Sequence, residues 1–380
     1  MSYTLSANEE NIVRLVRTRG LISRADLSRE TGLSKPIVSN IVSKLINEGA
    51  IIEKEIGMSS EKGGKKPILL SFASTYKYIV GVDVGGNKLI AILTDLDGNI
   101  INKVRKVTKG IKSKNALTEI IFQGIEEVIT VDKAMILGVG IGVPGTTDIK
   151  TGFVYYMPAF ELSDIPLGEI VSSHFGIPVM ISNDVTVNAL GELSKGSARN
   201  IKDLCLIAIG TGTGAGLILN GSIYSGSHNM AGEIGYMITD WNKENKSRNR
   251  TFGNYESWFS GNGLEIKVKE KLGLNLTTKE IFDNLDKSRD IKEIFLQGCE
   301  HLALGIANII TLLDPQMIIL TGGVGYNQYD MILRYLMPFL EVIVPPEILK
   351  NISFSRGELG DLGVSVGGVS LIHDNYFLKM

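Results

Sequence analysis

The chain has 380 residues, 44% of them hydrophobic and 21% charged, with a net charge of −2. That is enough for two or three domains with buried cores, and it leaves no overall bias toward nucleic acid or membrane. Two cysteines, Cys205 and Cys299, exclude a disulfide framework. The polar N-terminus shows no signal peptide, and the longest apolar run, 302–313, is too short to span a bilayer, so a cytoplasmic protein is expected.

Residues 8–19 carry Ile12, Val13, Leu15 and Val16 at helical spacing and stop at Gly20. Ser23 reads as an N-cap for residues 24–31, and Gly32 as a turn. Ser34 caps a third helix, with Pro36 in its first turn. That helix places Ile37, Val38, Ile41, Val42, Leu45 and Ile46 on one stripe, opposite Ser39, Asn40, Ser43, Lys44 and Asn47. Three short helices with a tight turn before the third describe a helix-turn-helix. The β-prone runs 50–56 and 66–72 flank a basic tip, which reads as a wing. Residues 1–72 hold 11 Lys and Arg against 8 Asp and Glu, so a mildly basic head precedes an acidic body. Read as a DNA-binding domain, the 34–47 helix enters the major groove. Ser34, Lys35, Ser39 and Asn40 then lie near base edges, while Lys44, Lys62, Lys65 and Lys66 meet phosphates or a minor groove. The alternative is a small helical oligomerisation domain with a solvated polar face.

Residues 73–77 form a short linker, and 78–83 a buried strand that runs into Val84-Gly85-Gly86-Asn87-Lys88. Asp83 before two glycines can orient a Mg²⁺-bound water while the glycines let phosphate approach; many such turns are only turns. A hairpin turn at 95–99, a strand at 100–107, a helix at 113–130 and a strand at 135–141 follow, the last ending in Gly142-Val143-Pro144-Gly145. The strand 178–182 delivers Asn183 and Asp184 to a helix over about 186–195. Ligands sit at such strand ends in α/β sheets. Asp184 is therefore the candidate general base toward a sugar hydroxyl, and equally a candidate N-cap for the helix that follows it.

The stretch 207–236 is the most informative. A short strand ends at Gly210-Thr211-Gly212-Thr213-Gly214-Ala215-Gly216, a turn able to aim N–H groups and hydroxyls at phosphate. After a strand and an Asn220-Gly221 hairpin turn the chain closes on Glu233, between Gly232 and Ile234-Gly235, with no nearby base. A phosphate cradle beside an unpaired carboxylate points to a polyhydroxyl compound next to a nucleotide; the plainer alternative is a hairpin with a solvated Glu. Residues 240–250 form a polar loop, 251–263 carry Glu256 and Trp258, and 288–312 form a long helix. A strand at 317–321 leads to a third glycine turn, Gly322-Gly323, and the tail from 364 is helical. Alternating strands and helices, with a hairpin and phosphate turn opening each of two stretches, give an α/β body in two related halves.

DVGGNK (83–88), GIGVPG (140–145), SNDVTVNALGE (182–192), the 210–236 block, YESWFSG (255–261) and LDPQMIILTGG (313–323) resemble the ROK family of repressors, open reading frames and kinases, over essentially the whole chain. The resemblance implies an actin-like, hexokinase-type two-lobe body behind a winged helix-turn-helix domain. It implies residues 1–72 as the head, 78–182 with the C-terminal helix of about 364–380 as a small lobe, and 183–363 as a large lobe with an oligomerisation surface. It also implies a homodimer or dimer of dimers. It assigns sugar contacts to Asn183, Asp184, Glu233 and Glu256, with Asp184 the catalytic base of the kinases, and Gly142 and Tyr236 lie within the same motifs. Asp83, Gly85, Gly86 and Asn87 fall in the first phosphate motif, Gly210, Thr211, Gly212, Thr213 and Gly214 in the second, and Gly322 and Gly323 in the adenosine turn.

The departures are specific. Asn87 stands where the family has Thr, and Tyr236 where it has a sugar-holding His. Ser247, Asn249 and Asn254 stand at its zinc cysteines, so no structural zinc is expected. The fused head resembles the branch that regulates transcription in response to a sugar, in carbohydrate and specifically xylose metabolism. A sugar-responsive repressor on a palindromic double-stranded operator, needing no cofactor, is the first reading. The second is an ATP- and Mg²⁺-dependent sugar kinase, kept open by Asp184 and GTGTGAG, and a protein that does both is a third.

Overall fold

The structure is a computed structural model, and it describes residues 6–56, 68–240 and 254–377. The head opens with α1 (Ala7–Arg19), where Ser6 and Glu9 close a capping box. β1 (Ile22–Ser23), α2 (Arg24–Thr31) and α3 (Lys35–Asn47) follow, and the Ser23 hydroxyl accepts from the Asp26 N–H as a cap should. Ser34 occupies the N-cap position of α3, yet its side chain makes no cap bond. Pro36, with its φ already set, shapes the first turn. β2 (Ile51–Ile56) and β3 (Ile68–Phe72) pair antiparallel, and β1 adds to β3. The wing tip, with Lys62, Lys65 and Lys66, lies outside the described residues. Val38, Val42 and Leu45 form the buried stripe of α3, whereas Ile37 is 46% exposed. One residue on a helix is a rotation of about 100°, which turns Ile37 off that stripe.

The body is two five-stranded sheets. The first half runs β4 (Tyr78–Val84), β5 (Lys88–Asp95), β6 (Ile100–Val107), α4 (Lys114–Val128) and β7 (Ile136–Val143). A three-stranded flap follows, β8 (Thr146–Asp148), β9 (Phe153–Met157) and β10 (Leu162–Ile165), then α5 (Leu167–Phe175), β11 (Val179–Asn183) and α6 (Asp184–Lys195). The second half holds β12 (Leu204–Ile209), β13 (Thr213–Leu219), β14 (Ser222–Ile223), α7 (Asn254–Trp258), α8 (Gly261–Leu272), α9 (Thr278–Asp283) and α10 (Arg289–Leu313). It continues with β15 (Met317–Thr321), α11 (Gly322–Asn327), α12 (Tyr329–Ile343), α13 (Pro346–Leu349) and β16 (Ser353–Arg356).

The sheet orders are β11-β7-β4-β5-β6 and β14-β13-β12-β15-β16. In each, the first strand of the half is central, an antiparallel meander lies on one side, and two parallel strands lie on the other. The two related halves are thus one topology used twice. α10 is the one described helix long and apolar enough to cross a membrane; Ile294, Leu302 and Ile306 bury it in the core of the second half.

α14 (Gly363–Ile372) packs against α6 and against β4 and β7. A Cβ at Gly140 would fall 1.9 Å from the Gly368 carbonyl, and one at Gly367 would fall 1.8 Å from the Val187 carbonyl. Backbones touch there because no side chain intervenes. α14 passes into a wider π-type turn over His373–Phe377, where a plain helical tail was expected. Both α6 and α14 begin at the cleft between the sheets, where Asp184, Val185 and Val364 line it. α6 therefore belongs between the sheets as much as to the second half.

The head shares a hydrophobic core with the body: Ile12, Val16 and Leu70 cluster with Ile90, Ile92, Ile372 and Phe377. The 73–77 stretch, expected as a simple linker, is fastened down. The Ser74 hydroxyl donates to the Asp95 carboxylate at 2.8 Å, and the Leu96 N–H donates to the Ser74 carbonyl at 3.0 Å.

Candidate functional site

A cavity of about 510 Å³ opens between the sheets, lined by Asp83, Lys88, Asp184, Gly323, Tyr326 and Asp361 among others. β4 carries Asp83 to it, and β11 hands over to α6 at Asp184. Asn183 is the N-cap of α6: its Oδ1 accepts from Val185 N–H at 2.9 Å and Thr186 N–H at 3.2 Å. Its Nδ2 donates to the Gly145 carbonyl at 3.1 Å. The cap role considered for Asp184 thus belongs to its neighbour, and Asn183 keeps one amide hydrogen for a ligand. Asp184 accepts from Val185 N–H at 2.9 Å and lines the cavity. Burial first, and the Glu233 carboxylate second, push its pKa up to about 7. Asp83 is pushed up to about 8, by burial first and then by Asp184 beside it. At neutral pH the two together carry less than two negative charges.

Glu233 and Glu256 lie on the second half. Gly232, at φ +95°, lets the chain lie on β13: its carbonyl accepts from Ala215 N–H at 2.7 Å, and a Cβ there would sit 2.0 Å from the Ala215 carbonyl. This pins Glu233. Its pKa is raised by burial and then by the nearby Glu256 carboxylate. Glu256 is carried by α7 and accepts from Thr213 N–H at 3.2 Å. Tyr255 anchors α7 by donating its hydroxyl to the Leu302 carbonyl at 3.0 Å. Trp258 stacks on His301 at 3.9 Å, and Lys267 Nζ lies 3.4 Å from the Trp258 centroid. Burial lowers His301 to about 4 and Lys267 to about 8, so this stack holds α7 with little charge on the imidazole. Tyr236 ends the short turn that starts at Glu233 and is 52% exposed.

Of the expected zinc positions, Ser247 and Asn249 lie outside the described residues, and Asn254 accepts from Thr239 N–H at 3.0 Å. Among the described residues no group of three or more His, Cys, Asp or Glu is arranged to hold a metal.

Three expected ligand contacts are corrected. Gly142 is buried in β7, paired with Asp83 and Ser182, and a Cβ there would fall 2.3 Å from Val364 Cγ1 and 3.4 Å from the Asp184 α-carbon. It spaces α6 and α14 and does not face a sugar. Thr213 is buried in β13; its hydroxyl donates to the Phe259 carbonyl at 2.6 Å and its N–H serves Glu256. Neither donor is left for phosphate. Gly214 likewise belongs to β13, so the second glycine turn is Gly210-Thr211-Gly212 alone.

The remaining turns converge. A Cβ at Gly210 would have the Gly323 N as its nearest atom, at 3.9 Å, and Gly322 and Gly323 open α11. Gly85 lines the cavity, with its N–H on the Lys88 carbonyl at 2.9 Å, and Gly86 lies under Ala159 of the flap. Asn87 is exposed. The cavity has room for a nucleotide. Lys88 is the single cation among the lining residues, it is paired with Asp361, and Asp83 and Asp184 stand beside it. No step through ATP and Mg²⁺ follows from that donor set.

On the head, Ser34, Lys35, Ser39 and Asn40 are exposed along one side of α3, joined by Ile37, which the stripe reading had turned inward. An exposed isoleucine on that helix suits the methyl group of a thymine. Lys44 has another duty. Its ammonium pairs with Glu9 at 2.7 Å, a carboxylate only 8% exposed, and with Glu48 at 3.8 Å. A buried carboxylate needs that counter-charge, so Lys44 serves the α1–α3 contact.

A junction that sequence patterns did not reveal joins head to body. Arg17 Nε pairs with Asp97 at 3.2 Å, one Nη donates to the Leu96 carbonyl at 2.9 Å, and the other meets His373 Nε2 at 2.7 Å. Its guanidinium also lies over Phe72, which packs on Phe377 at 5.7 Å. Lys195, at the end of α6, donates to the Asp97 carbonyl at 2.6 Å. Of the helices that start at the cleft, α14 therefore ends at the head, and α6 ends on the Asp97 turn that Arg17 of the head also grips.

The sequence pattern of the ROK family is matched by residues 79–361. A xylose repressor of Caldicellulosiruptor bescii is 30% identical over 387 residues, covering 96% of this chain and 95% of that protein. A glucokinase of Halalkalibacterium halodurans is 29% identical over 314 residues, covering 77% of this chain and 94% of the kinase. The solved structure of a ROK family transcriptional regulator, described as a homolog of the E. coli MLC protein, superposes with a TM-score of 0.80 at 22% identity, over 97% of this chain and 95% of that one.

Proposed function

The chain belongs to the ROK family, and from that premise we propose that it is a sugar-responsive DNA-binding regulator, acting as a repressor of carbohydrate-metabolism genes. The observation that carries this reading is the head itself. The repressor relative aligns along almost the whole chain and the glucokinase along 77% of it, and the head is bonded to the far end of α14 and to the Asp97 turn on which α6 ends. Asp184, Glu233, Glu256 and the free amide hydrogen of Asn183 are the groups we assign to sugar hydroxyls. Lys35, Ser39, Asn40 and Ile37 are those we assign to base edges, with Ser34 at the helix start. A two-fold dimer would set two heads on a palindromic operator. The similarity to a xylose repressor makes xylose the first sugar to try.

Sugar bridging the two halves favours one cleft opening, and a change in that opening moves α6 and α14 together. The ligand acts only through its different affinity for the two arrangements. The test is operator binding on DNA upstream of sugar-utilisation genes, with and without each member of a sugar panel. The expected result is protection that at least one sugar alters tenfold or more. Absence of any protected site at moderate salt, under every sugar, would overturn the reading.

A kinase remains the second reading because of one feature: Asp184, held at about 7, is poised as a base toward a sugar hydroxyl near neutral pH. A coupled ADP-release assay decides it. Turnover that disappears in Asp184→Asn would establish the enzyme.

A further inference from the structure

Glu233 and Glu256 come from two separate stretches of chain, the turn that runs on to Thr239 and the helix α7. Three side chains clasp these stretches together. Asn254 is the first residue of α7 and is buried. Its Oδ1 accepts from the Thr239 N–H at 3.0 Å and from the Thr239 hydroxyl at 3.2 Å. The same hydroxyl oxygen meets His301 Nδ1 at 2.8 Å. Its one proton goes to Asn254, so the imidazole carries a proton on Nδ1 and donates it to the hydroxyl oxygen. His301 belongs to the core helix α10, and its ring stacks on Trp258, the last residue of α7, at 3.9 Å and 13°. The Tyr255 N–H adds a bond to the Met237 carbonyl at 3.1 Å.

This clasp fixes Glu256 through its neighbours. Asn254 and Trp258 lie four residues apart on one short helix and share a face. His301 holds both, one through Thr239 and the other by stacking. Glu256 lies midway between them, turned about 200° off that face. There its Oε2 would sit 2.7 Å from a Cβ on Gly212 and 3.2 Å from one on Gly235. The carboxylate is thus wedged between the second glycine turn and the turn that follows Glu233. Asn254 occupies a position that matches a zinc cysteine of the family, and here it makes hydrogen bonds.

We propose that Thr239 and His301 are positioning residues for the sugar: by clasping α7 to the Glu233 stretch they set how far Glu256 stands from Glu233, a cross-link made of hydrogen bonds and a ring stack in place of a metal. This rests on the sugar-responsive reading and deepens it, since both residues act on the ligand through Glu256.

The test uses the full-length protein and two variants. Thr239→Val keeps the shape and the backbone N–H and removes only the hydroxyl; Thr239→Ser keeps the hydroxyl. Calorimetry is run with xylose, glucose and N-acetylglucosamine. For each sugar that the wild type binds, Thr239→Val should weaken binding about tenfold, the cost of leaving hydrogen-bond partners unpaired, and Thr239→Ser should stay within about twofold. Operator affinity without sugar should be the same in all three proteins. The chain has two tryptophans, so in a Trp241→Phe background the emission of Trp258 reports its stack on His301. That emission should change with Thr239→Val and not with Thr239→Ser. Wild-type sugar affinity in Thr239→Val overturns the inference and leaves the sugar-responsive reading standing. So does weakened binding with unchanged Trp258 emission, because hydroxyl and stack would then be uncoupled. Failure of all three sugars to bind the wild type removes both.

Discussion

The two ends of α14 are made of opposite materials. At the cleft it offers Val364 to a cavity lined by carboxylates, with one cation already paired. At the head it ends in Ile372, His373 and Phe377, packed on Phe72 and bonded to Arg17. One end is open and electrostatically strained, the other closed and satisfied. A helix with one loaded and one anchored end transmits displacement, because packed interiors yield as units. The contrast teaches where each kind of residue is needed: charge where a ligand will compensate it, apolar contact where a domain must not slip.

The sharpest way to break the contrast is to lift α14 off its bed. Gly140→Val would drive a side chain into the Gly368 carbonyl, 1.9 Å from the Cβ position. Overpacking against backbone costs about 3 kcal/mol or more, and a fall of several degrees in melting temperature, with both operator and sugar binding lost, is the expected outcome.

Arg17→Ala is milder and more informative. It removes the bonds to Asp97, Leu96 and His373 and leaves α3 and the cleft untouched. Each binding event should persist, while the sugar-induced change in operator affinity, of the usual ~5–150-fold size for coupled sites, should shrink to about twofold. Titrations of operator DNA with and without sugar read this directly.

The smallest effect concerns the strained end alone. The folded Asp83 has its pKa raised to about 8, so the native state binds a proton that the unfolded chain has already lost. Its penalty is absent below the unfolded value, grows as pH rises, and is complete above about 8. Asp83→Asn should therefore raise the melting temperature by about 2–4 °C at pH 8 and by less at pH 5. Thermal scans at the two pH values check the sign.

Much of this was legible in the sequence, for a physical reason. Helices of the head, strands 78–83 and 317–321, and the glycine turns are local patterns, and Asp184 announces itself by ending a strand. What periodicity and spacing could not place are contacts made across the fold. The pairing of Lys44 with Glu9, 35 residues away on another helix, left no local signal. Thr213 looked like a phosphate donor because the Phe259 carbonyl that takes its hydroxyl arrives 46 residues later. Gly142 reads as a ligand turn until α14 is laid against it. The Arg17 junction joins residues 80 and 356 positions apart, and no local signal marks it.

The central claim is that sugar and operator are felt through the same pair of helices. It is tested most directly from the sugar's side, by measuring the sugar's Kd on the free protein and on the protein saturated with operator DNA. Linkage requires the two constants to differ by the factor by which that sugar changes operator affinity, and we predict a difference of about tenfold, absent in Arg17→Ala. Identical sugar affinity with and without bound operator would contradict the account.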